Sequence, residues 1–308
     1  MPKNLSSSGQ TGPLSVGNVV SASVRIYRDN FKLYFGLALV ASLWLLVPIY
    51  GWAKYSAISA LISRLALGEV REKPETVSDT RGQVNPRMWR FFWARILTFL
   101  IYIGVYVAAT VAVTIALAIG LYVAATIAAT ILGGRAAAIF GQNYVIISAL
   151  VGVGTLIAFL IIYIRIISRL LIVELPLAIE NNIGATSAIG RSWELSKESV
   201  GRILWIFIVA FLVSLPITII VQILIGNVRA VFSGLFAKSG LFYLVYYLLV
   251  LPLSFGSSAL VIPFWQAMKA IIYYDLRSRK EGLGLQMRDR YISLSQNIKF
   301  AQSNLCDF

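Results

Sequence analysis

Histidine is absent from this 308-residue chain, which removes the commonest general base, the commonest metal ligand and the usual haem ligand together. Cysteine occurs once, at Cys306, so no intrachain disulfide can form and a thiolate metal cluster is excluded. Charge is scarce as well, at 13% of residues against roughly 25% in soluble proteins. No carboxylate occurs from Thr80 to Val173. Coupled transporters and proton pumps usually place an ionisable group near the bilayer midplane, so this gap counts against that class. Phosphate-binding glycine loops are missing, because Gly133-Gly134-Arg135 and Gly282-Leu283-Gly284 lack both the spacing and the lysine. The stretch before Asn30 has no apolar run long enough for a signal-peptide core, so a short disordered tail over residues 1–13, with nothing cleaved, is expected.

What the chain does have is apolar length. Hydrophobic residues make up 58% of it, and several runs reach the roughly 20 residues that a helix needs to cross about 30 Å of hydrocarbon. The runs are Phe31 to Tyr50, Ala53 to Leu67, Phe91 to Leu132, Tyr144 to Ile164, Ile203 to Ile225 and Leu241 to Met268. They predict an all-α, polytopic integral membrane bundle of about six transmembrane helices in three hairpins, occupying residues 14–282, with a polar C-terminal tail over 283–308. The second run is short and follows the first across Pro48 and Gly51, so it reads equally as the return leg of a broken hairpin. Of the 27 Lys and Arg residues, all but Lys54, Arg135, Arg229 and Lys238 fall on one side if both termini are cytosolic, and this bias predicts that orientation. A basic balance of this kind suggests nucleic acid in a soluble protein; beside apolar runs it reads as interfacial anchoring, and no nucleic-acid partner is expected.

The third run would extend about 63 Å as one helix, twice the hydrocarbon thickness. Splitting it at Gly120 would move Arg165, Arg169, Arg191, Lys197 and the basic tail to the external side, so a single long or strongly tilted helix is expected. Along it Gly104, Ala108, Ala112, Ala116, Gly120, Ala124 and Ala128 recur every fourth residue. Such a strip of small side chains lets a second helix approach closely, and Ser148 with Gly152 on the following helix offers a matching surface. The few polar residues within the spans, Gln222, Gln266 and several threonines, read as interhelical hydrogen-bonding groups.

Polar, amphipathic segments lead into the helix pairs. In the first, Val16, Val20, Val24, Tyr27 and Phe31 lie three or four residues apart, leaving Arg25 and Arg28 for headgroups. Later in the chain Ala188, Arg191 and Trp193 match Ala22, Arg25 and Tyr27 at a constant offset, a faint sign of internal duplication. The middle segment, NPRMWRFFWARIL, contributes Arg87 and Arg90. Near LLIVELPLAIE, Glu174 invites pairing with Arg169 or Arg165, as an interfacial ion pair that ends the fourth helix ahead of Pro176 or as part of a polar network gating a path. In YYDLRSRKEG, Asp275 reaches Arg279 and Arg277 reaches Glu281 at i+4, Tyr273 and Tyr274 suit the headgroup level, and Gly282 supplies a helix stop. Asp275 and Glu281 point to different faces and do not form an acid/base pair; the segment is a membrane exit.

PLSVGNVVSASVRIYRDNFKLYFGLALV, IGATSAIGRSWELSKESVGRIL and PFWQAMKAIIYYDLRSRKEGLGLQM, in that order over about residues 14–288, resemble the membrane domain of glycerophosphoryl diester phosphodiesterases and its stand-alone bacterial relatives. The resemblance implies a bacterial multi-helix membrane module, sometimes fused to a soluble phosphodiesterase. It implies no catalysis here, since that catalytic domain is a barrel of some 250 residues using a histidine pair and metal-binding carboxylates. The expectation is a non-catalytic scaffold or assembly protein of a bacterial inner membrane, plasma or thylakoid, with no cofactor, no metal and no catalytic residue. Its partners would be membrane lipids and a membrane protein; its oligomeric state is open. Contacts with an anionic headgroup or a partner are expected at Arg25, Arg28, Arg87, Arg90, Arg191, Trp193, Asp275, Arg277, Arg279 and Lys280, where clustered Lys and Arg gain about 1 kcal/mol each from anionic lipid. A transporter or channel for a lipid-like or small solute, and the membrane subunit of an enzyme whose catalytic domain is a separate chain, are the alternatives.

Overall fold

A computed structural model describes residues 15–132, 136–180, 183–236 and 240–280. The elements in chain order are α1 (Val16–Asp29), α2 (Phe31–Trp44), α3 (Tyr50–Val70), α4 (Val77–Val84), a 3-10 turn (Asn85–Arg87), α5 (Met88–Leu132), α6 (Ala136–Leu170), α7 (Glu174–Ile179), α8 (Ala185–Ser196), α9 (Val200–Phe236) and α10 (Leu241–Lys280). Among the described residues there are no strands. The tails, Cys306, Gly282, Glu281, Lys238, the Gly133–Arg135 turn, and the side chains of Ala124, Ala128 and Ser148 fall outside what is described.

Four helical stretches, carried by α5, α6 with α7, α9 and α10, are long and apolar enough to cross a membrane, and the chain is an all-helical integral membrane protein. The long third run is one unbroken helix of 45 residues, as expected. Spacing along the long helices fits a bilayer. Trp93 and Tyr122 on α5 are 56% and 72% exposed and lie about 43 Å apart at about 1.5 Å per residue. Arg202 and Arg229 on α9, and Tyr247 and Tyr274 on α10, are each separated by about 40 Å on the same rise. A bilayer including its headgroups is about 40–45 Å thick, and aromatic and basic side chains collect at its two surfaces. Pro216, Pro252 and Pro263 lie inside α9 and α10, where membrane helices tolerate them.

By contrast, α2 has 14 residues and reaches only about 21 Å. It turns back into α3 through a tight corner at which Ile49 adopts a positive φ of 59° and Gly51 sits against the Trp44 carbonyl, with no room for a Cβ. The corner exposes Leu45, Leu46, Val47, Ile49 and Trp52, an apolar tip suited to hydrocarbon.

The centre of the bundle is α3, packed against α2, α5 and α10. Ala53, Ser56, Ala57, Ser59, Ala60, Ser63 and Ala66 are all buried. These small side chains bring three neighbouring backbones close, the packing mode that holds helices together where lipid supplies no hydrophobic drive. Around this end gather Leu67, Ile172, Leu175, Leu195, Met268 and Tyr273, each buried. Beyond it α5 with α6, and α9 with α10, extend as two apolar arms.

The strip expected to hold α5 against α6 does not do so. Gly104, Ala108, Ala112 and Ala116 are exposed, Gly120 is half-exposed, and no atom of another helix approaches the Gly104 or Gly152 positions. The physical reason is aromatic: Tyr102 meets Tyr163 at 6.3 Å and Tyr106 meets Phe159 at 6.1 Å, and these rings turn the small face away from α6. The arm hydroxyls also differ from expectation. Those of Thr110, Thr114, Thr155, Ser214 and Thr218 donate to carbonyls of their own helix, the local outlet open to Ser and Thr on helices. Gln266 does bond between helices, accepting from Ser63 at 2.6 Å.

In α1, Ser15 caps the start by accepting from the Asn18 N–H at 3.2 Å. Its buried face is Val19, Val20 and Ser23, while Val24 is 41% exposed; the apolar stripe packs on α9 and α10 and is rotated from the expected one. Both α1 and α8 are amphipathic, with Val19 and Ala188 fully buried.

Candidate functional site

The residues expected to meet headgroups or a partner divide into two sets. Arg25, Arg28 and Arg90 are exposed, and Arg28 makes only a loose pair with Asp29 at 3.5 Å. The others bond to groups of the bundle, and of these Trp193, Arg279 and Lys280 remain exposed. Arg191 donates to Glu180 Oε1 at 3.3 Å, the same oxygen that accepts from the Tyr273 hydroxyl at 3.0 Å, and Arg87 donates to the Glu180 carbonyl at 3.1 Å. Arg277 reaches the Tyr273 hydroxyl at 3.4 Å. Asp275 is only 7% exposed and is held by Arg202 at 2.9 Å and Arg279 at 3.1 Å. Lys280 donates to the Glu194 carbonyl. Trp193 carries the Arg169 guanidinium 4.3 Å above its ring.

The expected Asp275–Arg279 pair is therefore present, whereas Tyr273 is an interior residue and not a headgroup anchor, because its hydroxyl bonds Glu180, the residue that follows α7. Arg64 adds a further tie, donating to both Glu75 oxygens at 2.7 and 3.1 Å and to the Ala178 carbonyl at 2.7 Å. Desolvation of Arg71 lowers its pKa, and Arg277 nearby lowers it further.

Glu174 corrects the local reading most clearly. Its partners are not Arg165 or Arg169. Arg95 on α5 and Lys269 on α10 both donate to Glu174 Oε1, at 3.0 and 3.1 Å. The fourth helix does end ahead of Pro176: α6 stops at Leu170, and Glu174, Leu175 and Pro176 form the first turn of α7, where a proline costs no hydrogen bond. The second carboxylate oxygen, Oε2, is buried and has no hydrogen-bond partner among the described residues.

These three charges form one end of a cavity of about 710 Å³, within the range of about 300–1,000 Å³ usual for small-ligand sites. Trp52, Phe92, Phe99, Leu171, Ile262 and Trp265 supply its apolar walls, and Tyr55 and Gln266 sit near the charges. The Arg95 guanidinium lies 4.8 Å from the centre of the Tyr55 ring, a cation–π contact that fixes its direction. From Arg95 the wall runs up α5 to Tyr102, about 10 Å along the helix, and from Lys269 back along α10 to Val261, about 12 Å. The cavity is thus charged at the polar end of the bundle and apolar towards the arms.

The sequence reading gives no role to Arg95 or Lys269. The available signal was that both are single cations inside apolar stretches, WARILTF and QAMKAII, and that Glu174 is an acid with apolar neighbours on both sides. Buried ions must pair, and no carboxylate lies within four residues of Arg95 or Lys269 along the chain.

No group of three or more His, Cys, Asp or Glu able to hold a metal occurs among the described residues. Compared with protein-family models, with curated proteins and with solved structures, the chain matches none of them.

Proposed function

We propose that the chain is a non-catalytic membrane scaffold or assembly protein that holds anionic lipid at its polar end and presents its apolar arms to a membrane-protein partner. The observation that carries this reading is the division of the molecule. Ion pairs and small-residue packing lock the polar end, while the arms expose Phe99, Ile119, Leu156, Ile220 and Leu248 along their length. A transporter needs a polar route between the arms, and the arm hydroxyls are turned onto their own backbones instead. Exposed Arg25, Arg28 and Arg90 remain available to anionic headgroups.

In this proposal both termini are cytosolic, as the bias in basic residues favours. The α2–α3 hairpin enters the same leaflet, with its short first leg leaving full crossing to the four long helices. The likeness to the membrane domain of glycerophosphoryl diester phosphodiesterases, stand-alone bacterial form, belongs to the same proposal, and its support is the order of the three sequence stretches.

Reconstitution tests it. The purified chain in vesicles loaded with small neutral solutes is expected to leave their release unchanged, while migrating in native membranes as part of a larger complex with a stoichiometric partner. Release of solute by the chain alone would overturn the scaffold reading in favour of transport.

A further inference from the structure

We infer that the cavity between α3, α5, α7 and α10 binds one membrane lipid with a monoanionic, hydroxyl-bearing head group, its oxyanion on Arg95 and Lys269 and its chains along Phe99 and Trp265. This rests on the anionic-lipid reading above and gives that lipid a place and a chemistry.

The charge count sets the head group. Arg95 and Lys269 share a single carboxylate, Glu174, so the site carries one uncompensated positive charge. That matches a phosphodiester, sulfonate or carboxylate, and it leaves a phosphomonoester dianion with excess charge. Both cations bond the same oxygen of Glu174, and each has further N–H donors for a ligand oxyanion.

The orphaned Glu174 Oε2 adds a second requirement. Gln266 reaches Glu174 from the same wall, yet Oε2 has no hydrogen bond in place; a buried carboxylate oxygen left so is costly, and a head-group hydroxyl is a donor that would satisfy it. A zwitterionic choline head has no hydroxyl to offer and brings a fixed cation towards Arg95.

Shape supplies the third. Trp52 and Phe99 are 47% and 60% exposed, so the apolar end of the cavity is open to the side, where hydrocarbon chains lie. The charged end stands at the level at which Trp89 and Trp93 leave the bundle surface, 44% and 56% exposed, as interfacial tryptophans do. A free soluble anion would meet the two cations but leave the aromatic walls unused.

The full-length protein, purified in mild detergent and exchanged into mixed micelles, would be examined by native mass spectrometry with phosphatidylglycerol, with phosphatidylcholine of the same chains, and with inorganic phosphate as competitor. One phosphatidylglycerol per chain is expected, retained at least tenfold better than phosphatidylcholine and not displaced by phosphate. Lys269→Gln, which keeps the Arg95–Glu174 pair, removes that preference. Thr98→Trp, on the cavity wall, removes bound lipid of either kind with all three charges in place. Equal retention of the two lipids, unchanged retention in Thr98→Trp, or displacement by phosphate would overturn the assignment. None of those results bears on solute release, so the site can fail while the scaffold reading stands, and the converse also holds.

Discussion

Ala57, Ala60 and Ala66 of α3 are 0–1% exposed, whereas Ala108, Ala112 and Ala116 lie open along α5, whose small residues recur every fourth position. The difference is set by what else each helix carries. Serines interleave the alanines of α3, so small side chains spread over a wide arc of it, and α2, α5 and α10 close on it. On α5 the small residues occupy one strip, while Tyr102 and Tyr106 occupy another and take the contact with α6. A small residue permits close approach without requiring it; a large ring nearby decides which face is used. The same contrast runs through the polar groups: at the polar end charges bridge different helices, and along the arms hydroxyls bond to their own.

Five substitutions, one of them read by titration, probe that contrast in order of falling effect. Asp275→Ala leaves Arg202 and Arg279 without the buried carboxylate that joins α9 to α10, and is expected to cost about 3–5 kcal/mol, read as a large fall in the thermal midpoint in detergent. Arg64→Gln removes bonds to Glu75 and to the Ala178 carbonyl and should cost about 2–3 kcal/mol in the same assay. Ala60→Leu overfills the fully buried centre of α3 and should cost about 1–3 kcal/mol. A loss smaller than that of Ala112→Leu would break the comparison outright.

The titration concerns Glu75. The hydrogen bond from Arg64 holds its carboxyl below the ordinary range, against a smaller opposing push from desolvation. A carboxyl whose pKa is depressed on folding stabilises the fold above the ordinary value of about 4.3 and loses that contribution as pH falls through the folded value. Thermal midpoints measured from neutral pH downward should therefore fall in the acid range, and Glu75→Gln should flatten part of that fall. The effect is modest, because the carboxylate is partly open to solvent. Smallest of all, Ala112→Leu on the bare strip is expected to change stability by no more than about 0.5 kcal/mol.

Much of the architecture was legible in the chain because lipid imposes it. Apolar length gave the long helices, and the continuity of α5 followed from where basic residues would otherwise fall. The interior of the polar end was not legible, for a geometric reason. Glu174 has basic residues five and nine positions before it, at Arg169 and Arg165, and local spacing favours them; its partners lie 79 and 95 residues away. Arg169 is instead spent on Trp193, and its carbonyl accepts from Ser192 at 2.6 Å. In the same way the run Ala53 to Leu67 reads as a short span following Pro48 and Gly51, although its alanines and serines make α3 the helix on which the others close. Sequence periodicity ranks faces by composition; only the fold decides which face meets a neighbour.

Single-cysteine labelling tests the central claim most directly, because the chain has one native cysteine, removable as Cys306→Ser. Cysteines placed in that background at Arg28, Ala112 and Arg229 would be exposed to a membrane-impermeant maleimide in oriented vesicles. The account predicts that position 28 and position 229 react from opposite sides and that position 112 reacts from neither. Reaction of 28 and 229 from the same side, or ready reaction at 112, would contradict it.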